Sequence, residues 1–203
     1  MNGAELKATL KSGGRVFGTM ISIARNPKWI PILDSVGLDY VVIDTEHNYR
    51  SRGELGDFLI MMNTSGVVPI VRIPIPDSHY VTMAMDAGAQ GVLAPYCETV
   101  EQVREVVGAA KWRPLKGEAV DRVVATGEHI SDATRAYLED RNKNSICIIG
   151  IESREAVENL EEMLKVPGID GIFVGPNDMS ISLGIPDQYD QEVYQATVKK
   201  VID

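Results

Sequence analysis

Side chains able to do acid–base or ion-binding chemistry stand at the ends of several apolar runs in this sequence. Asp44, Glu46 and His47 close the run Tyr40 to Ile43, and Arg72 lies near the end of Val67 to Ile73. Glu152 follows Ile146 to Ile151, and Asp178 comes shortly after Gly171 to Val174. If these runs are parallel strands, their carboxyl ends meet on one face, where ligands of α/β folds bind. Residues as distant as Asp44 and Asp178 then line a single pocket.

Glu152 and Asp178 offer hard oxygen donors, which suit Mg²⁺ or Mn²⁺ better than a soft-ligand metal. Two protein ligands leave positions open for water and a chelating substrate, as a Lewis-acid site requires. The competing reading makes each a helix cap, Glu152 for a helix beginning at Ser153 and Asp178 for one after Asn177. His47 is placed to act as a general base, because an imidazole titrates near ~6.5 when unperturbed. His79 and His129 are expected to be structural. Arg72 carries a permanent charge on an apolar run, which calls for an anion opposite it, either a substrate or the carboxylates of Asp44 and Glu46. Gly175, Pro176, Asn177 and Asp178 open a helix, whose free N–H groups can seat a carboxylate.

The elements that must position these groups alternate regularly. A first strand is expected over Val16 to Ile23, followed by a helix with Asn26 as cap and Pro27 at its first position. Capping boxes are read at Ser51/Glu54 and Thr99/Gln102, with Asp77 and Ser153 as further caps. Gly37, Gly88 and Pro167-Gly168 stop helices just before apolar runs. A final helix spans about Gln191 to Val201. The stretch Trp112 to Asn144 is the one irregular region, with a helix expected near Ala133 to Leu138.

Six βα units without hairpin signals predict a parallel sheet buried on both faces. With no Gly-rich phosphate loop after an early strand, a doubly wound nucleotide fold is disfavoured. The expectation is therefore a single (β/α)8 TIM barrel over residues 1–203, C-terminally incomplete, with its last one or two units missing.

The 203 residues are 44% hydrophobic and 24% charged, as in an ordinary globular domain, and the net charge of −9 argues against a nucleic-acid surface. No apolar run reaches the roughly 18 residues of a membrane span, and Met1 to Lys11 reads as an amphipathic stretch rather than a signal peptide. Cys97 and Cys147 have no metal or redox spacing, so reduced thiols and a cytoplasmic location are expected.

The phrases Val42-Ile-Asp-Thr-Glu-His47, Pro69-Ile-Val-Arg72, Asp86-Ala-Gly88, Ile151-Glu-Ser-Arg-Glu-Ala-Val157 and Gly171-Ile-Phe-Val-Gly-Pro-Asn-Asp-Met-Ser180 resemble, in order, the HpcH/HpaI family of metal-dependent pyruvate aldolases. The resemblance implies a (β/α)8 barrel and a homo-oligomer, a hexamer built of trimers. It implies reversible cleavage of 4-hydroxy-2-oxo acids to pyruvate and a small aldehyde through a metal-held pyruvate enolate. By position, Glu152 and Asp178 look like the ligands of a divalent metal, Mg²⁺ or Mn²⁺ with Co²⁺ as an alternative. His47 looks like the base, Asp86 like the partner that raises its basicity, and Arg72 like the stabiliser of enolate charge. Asn177 occupies a position whose backbone contacts the pyruvate carboxylate. Many members carry glutamine two residues before the metal glutamate, touching substrate or metal-bound water. Gly150 stands there in this chain and is expected to enlarge the site. The long loop also departs, reading Arg113-Pro114-Leu-Lys-Gly117-Glu118-Ala without the family's arginine.

Three other readings compete. A Schiff-base aldolase would need a lysine at a strand end, whereas Lys111, Lys116 and Lys165 fall in predicted helices or loops. A CoA-thioester lyase of the citrate-lyase β-subunit type would need a basic patch for the CoA phosphates. A non-catalytic barrel serving binding or assembly is the third.

Overall fold

The structure, a computed structural model, describes residues 1–127 and 130–203; His129 therefore lies outside the described residues. Alternation of apolar strands with capped helices gives the chain its order. The helix α1 (Gly3–Lys11) precedes β1 (Gly18–Ile21), and a 3-10 turn (Pro27–Trp29) runs into α2 (Ile30–Ser35). Then come β2 (Tyr40–Asp44), α3 (Arg52–Met62), β3 (Val68–Arg72), α4 (Ser78–Asp86), β4 (Gly91–Ala94) and α5 (Val100–Lys111). Two helices, α6 (Glu118–Thr126) and α7 (Asp132–Arg141), lead to β5 (Ile146–Ile151). The short α8 (Arg154–Glu158) and α9 (Leu160–Met163) precede β6 (Gly171–Val174), α10 (Pro176–Ser182) and α11 (Glu192–Ile202).

Local chemistry sets the helix starts. The Ser51/Glu54 and Thr99/Gln102 boxes close in both directions, and Asn26, Asp77 and Ser153 accept the N–H groups expected of caps. Gly37 and Gly88 take positive φ, 71° and 112°, where a side chain would be strained, so each helix turns back sharply into the next strand. The region Trp112 to Asn144, read as largely irregular, contains α6 as well as α7. Its first turn is uncapped by any side chain, starting from Gly117 at φ 59°, so the usual cap signal is missing.

Among the described residues the strands form one parallel six-stranded sheet in the order β1-β2-β3-β4-β5-β6. This corrects the expectation of an eight-unit barrel. The first and last strands, β1 and β6, are both edges and do not pair, so the sheet curls without closing. Closing a barrel of this kind takes eight strands with matched tilt and shear, and six leave a gap. A cleft of about 390 Å³ lined by Leu10, Val16, Met20 and Phe173 opens there.

Alternation along each strand produces two cores. Val41, Ile43, Val71, Val92, Cys147, Ile149 and Ile151 face the helices, while Val42, Val68, Ile70, Leu93 and Ile146 face inward and pack on Leu6 of α1. Cys97 and Cys147 are buried free thiols, pushed up by burial to about 12. The α1 helix is seated at the amino ends of the strands. Gly3 donates to Gln90 Oε1 at 2.8 Å, Lys7 Nζ donates to the Ser145 carbonyl at 3.0 Å, and Lys111 pairs with Asp170 beneath. Substituting Leu6→Ala, at 3% exposure, is expected to lower unfolding free energy by about 2–4 kcal/mol in urea denaturation. A loss below about 1 kcal/mol would mean that α1 does not fill the concave face.

Candidate functional site

Strand register pairs the reactive side chains within each half of the carboxyl edge. Asp44 lies opposite Arg72 across β2 and β3, and Ile151 lies opposite Val174, so Glu152 and Gly175 follow side by side at the carboxyl edge. Arg72 is the hub of the β2–β3 half. Its Nε donates to Asp44 Oδ1 at 2.8 Å, and its Nη1 lies 3.1 Å from Glu46 Oε2. Asn48 Nδ2 donates to the other Asp44 oxygen at 2.5 Å. Burial opposes ionisation of Asp44, but the hydrogen bonds from Arg72, Asn48 and the Glu46 N–H, with the charge of Arg72, together outweigh it and hold the carboxyl below its usual range. Arg72 is correspondingly held above its usual value, burial being overcome by Asp44 and Glu46. His47 is exposed, with Nε2 3.5 Å from Glu46 Oε2.

The β5–β6 half holds Glu152, only 2% exposed. Ser153, not Glu152, caps α8 through its Oγ, which accepts from Ala156 N–H at 3.1 Å and donates to Glu98 Oε1 at 2.6 Å. Asp178 does not cap α10 either, because Gly175 is the N-cap and no side chain serves there. Both carboxylates are thus free of the capping duties that would have explained them.

Burial pushes Glu152 up to about 7, against the help of the Tyr96 N–H, which donates to its Oε2 at 2.7 Å. The nearby charges of Glu46 and Asp178 raise it further, and Arg72 offsets only part. Burial also raises Glu46. A Cβ at Gly175 would lie 2.2 Å from Glu152 Oε1, so Glu152 sits where it does only because this position has no side chain.

His47, Arg72, Glu152, Asp178 and the Gly175–Asn177 turn therefore share one edge of the sheet. Asp86 does not join them. It ends α4 at the amino edge, 3.4 Å from Arg113 Nη1, and does not reach His47 within this chain. Gly150 lies beneath the rim, yet it does not enlarge the site as expected. The space its side chain would take is filled by main chain, 2.9 Å to Pro95 Cα and 3.1 Å to Tyr96 N. Sequence reading also missed the loop after β4. Tyr96 there holds φ 53°, a left-handed conformation that costs a non-glycine residue on the order of 1 kcal/mol and persists only when its surroundings fix it. The signal that marks it is Gly150, the small residue on the neighbouring strand that lets this loop approach. His79 is exposed and pairs with Arg52 at 2.8 Å, in keeping with a structural role.

Among the described residues no three His, Cys, Asp or Glu side chains form a complete metal cage. What the edge provides is a pair, Glu152 and Asp178, whose excess negative charge a hard cation would relieve. A donor set of two carboxylates, with Glu152 seated against a glycine that leaves it room, fits a divalent ion that keeps other positions for water or substrate.

A parallel α/β sheet with helix-covered strands and a carboxylate-rich carboxyl edge is the architecture of a ligand-binding α/β enzyme class, and comparison with known proteins defines it further. Residues 19–203 match the model of the HpcH/HpaI aldolase/citrate lyase family, and the chain belongs to that family. It is 32% identical to a hydroxypyruvate/pyruvate aldolase of Roseobacter denitrificans over 196 residues, covering 97% of this chain and 76% of the relative. It is 31% identical to a 2-keto-3-deoxy-L-rhamnonate aldolase of Salmonella gallinarum, covering 97% of this chain and 73% of that one. Among solved structures, an HpcH/HpaI aldolase from Desulfitobacterium hafniense superposes with a TM-score of 0.81 at 31% identity, covering 97% of this chain and 75% of that chain.

The raised Glu152 has a consequence for stability. A carboxyl whose folded pKa exceeds its ordinary 4.5 contributes fully below that value, and its contribution is lost as pH rises through about 7. At about 1.4 kcal/mol per pKa unit, chelated protein should lose on the order of 3 kcal/mol between pH 4.5 and 8 through this group. Glu152→Gln should remove that loss and be the more stable protein at pH 8 in EDTA, read by denaturant midpoints. An equal gap between the two proteins at pH 5 and pH 8 would contradict it.

Proposed function

We propose that the chain is a divalent-metal-dependent pyruvate aldolase, a carbon–carbon lyase that reversibly cleaves 4-hydroxy-2-oxo acids to pyruvate and an aldehyde. The observation that carries this reading is the buried, incompletely neutralised Glu152 beside Asp178, on the same edge as Arg72 and His47. The aldolase names of the relatives support it.

In this reading Glu152 and Asp178 hold the ion, Mg²⁺ or Mn²⁺ with Co²⁺ as an alternative. When bound, it supplies Lewis acidity toward the carboxylate and 2-oxo group of pyruvate, making the C3 protons removable. His47, exposed on the rim with Glu46 beside Nε2, takes the C3 proton. Arg72, fixed by two carboxylates, keeps its guanidinium at the edge where oxygen charge develops. The Gly175-Pro176-Asn177 turn that opens α10 receives the pyruvate carboxylate on the free N–H groups that begin at Asn177, Pro176 having none. The side chain of Asn177 is itself held, its Oδ1 accepting from Tyr189 at 2.5 Å. Among the described residues no helix is long and apolar enough to cross a membrane. A cytoplasmic homo-oligomer, hexameric by family resemblance, completes the proposal.

Deuterium wash-in at the methyl group of pyruvate tests the reading without any aldehyde. Exchange should require Mg²⁺ or Mn²⁺ and stop in EDTA. His47→Ala should lose it by at least about 100-fold, the scale of general base catalysis, while still binding the ion. Arg72→Ala should lower aldol cleavage by about 10²–10³-fold, as loss of an oxyanion donor does. Exchange that persists in EDTA, or a borohydride-trapped adduct with pyruvate, would place the chemistry on a lysine instead. No exchange in metal-replete protein would leave the citrate-lyase type or a non-catalytic role.

A further inference from the structure

The cleft between β1 and β6 has apolar walls and a charge at its amino end, and the chemistry of the opposite edge uses neither. Leu6 and Leu10 of α1, Val16 and Met20 at β1, and Ile148 and Phe173 of β5 and β6 line a space of about 390 Å³. Small-molecule sites typically occupy about 300–1,000 Å³ and combine apolar walls with a few polar groups. Leu10 is 44% exposed and Met20 38%, so the walls are open to a ligand. Lys7, on the same helix, lines the cleft with them.

Among the described residues the Lys7 ammonium has no carboxylate partner. Its Nζ donates to the carbonyls of Lys143 at 2.9 Å and Ser145 at 3.0 Å, which leaves it a further N–H to give. Asp170, the one acidic side chain lining the cleft among the described residues, is already engaged, its Oδ2 accepting from Lys111 and from the Cys147 N–H. Burial, then the charges of Lys111 and Lys11, hold the Lys7 pKa below its ordinary value, against the pull of Asp170. This end of the cleft therefore carries more positive charge than it balances, beside apolar surface. An unpaired charge in such a place is costly, and an anion on an aliphatic tail relieves both the charge and the exposed apolar walls. A purely apolar cover would leave the ammonium as it is.

We propose that this cleft is a binding site for a soluble aliphatic monocarboxylate of medium chain length, with the tail on the apolar walls and the carboxylate on Lys7. Charge complementarity selects the head group, and the lining of the cleft selects the tail. The site lies away from the carboxyl edge of the sheet, so the inference does not rest on the aldolase reading and stands or falls separately from it.

Displacement of a dansyl-labelled undecanoate by decanoate, below its micellar concentration, tests the site. Decanoate should displace the probe, and each methylene removed from it should weaken binding by about two- to fourfold, the scale of a methylene partly or fully buried. Lys7→Met keeps an apolar stem without the charge. It should weaken decanoate by about tenfold, the scale of a charge-assisted hydrogen bond, and leave the affinity for 1-decanol within about twofold. Lys7→Arg restores the charge and should keep decanoate within about threefold. If Lys7→Met loses 1-decanol as well, Lys7→Arg decides: decanoate retained there supports the assignment, and decanoate lost in both variants overturns it. Decanoate that displaces the probe equally well from Lys7→Met also overturns it, since the cleft is then an apolar surface without a head-group site. So does the absence of displacement by decanoate, and so does a dimer in sedimentation that excludes the probe, which would give the cleft to a second copy of this chain.

Discussion

Glu152 is a carboxylate buried to 2% exposure with one short N–H donor and too little positive charge around it, and the rest of the site is arranged about that fact. Taking an ion out of water is costly unless a partner compensates it. Arg72 is already committed to Asp44 and Glu46, so it relieves Glu152 only partly. The edge of the sheet consequently holds more negative charge than it can balance by itself. Such a site favours either a proton or a cation, and near neutral pH the two compete.

The fold sustains this imbalance by close approach. Parallel register sets Glu152 beside Gly175, where any larger residue would press on the carboxylate, and Gly150 admits the Pro95–Tyr96 main chain from the next strand. The left-handed Tyr96 is the visible strain of that arrangement. Hydrophobic packing on both faces of the strands supplies the rigidity that holds these contacts. The arrangement is one in which a few glycines let polar main chain and carboxylates meet where side-chain bulk would otherwise part them.

Much of this was legible from residues alone. Strands β4, β5 and β6 begin and end where the apolar runs do; β4 and β5 are buried on both faces, which leaves no ambiguity at their borders, while β6 is a half-buried edge. The Ser51/Glu54 and Thr99/Gln102 capping boxes are local chemistry and are legible with their partners, whereas the Asn2/Glu5 box of α1 went unread. Barrel closure was not legible in that way, since it depends on the pairing of first and last strands, which no local pattern encodes; here β1 and β6 remain edges. The α6 helix starts without a side-chain cap and gave no start signal. Asp86 was carried over by position only, and its place at the end of α4 sets it at the other edge of the sheet beside Arg113. Tyr96 escaped notice because its function in the fold is carried by backbone N–H and φ, which residue type does not reveal.

Titration calorimetry of Mn²⁺ into chelator-stripped protein, in buffers of different ionisation enthalpy, measures ion and proton stoichiometry together. The account predicts one ion per chain, with net proton release at pH 6.5 that vanishes in Glu152→Gln along with most of the affinity. Binding that releases no proton at that pH, or that survives Glu152→Gln unchanged, would contradict the claim that this buried carboxylate is the seat of the ion.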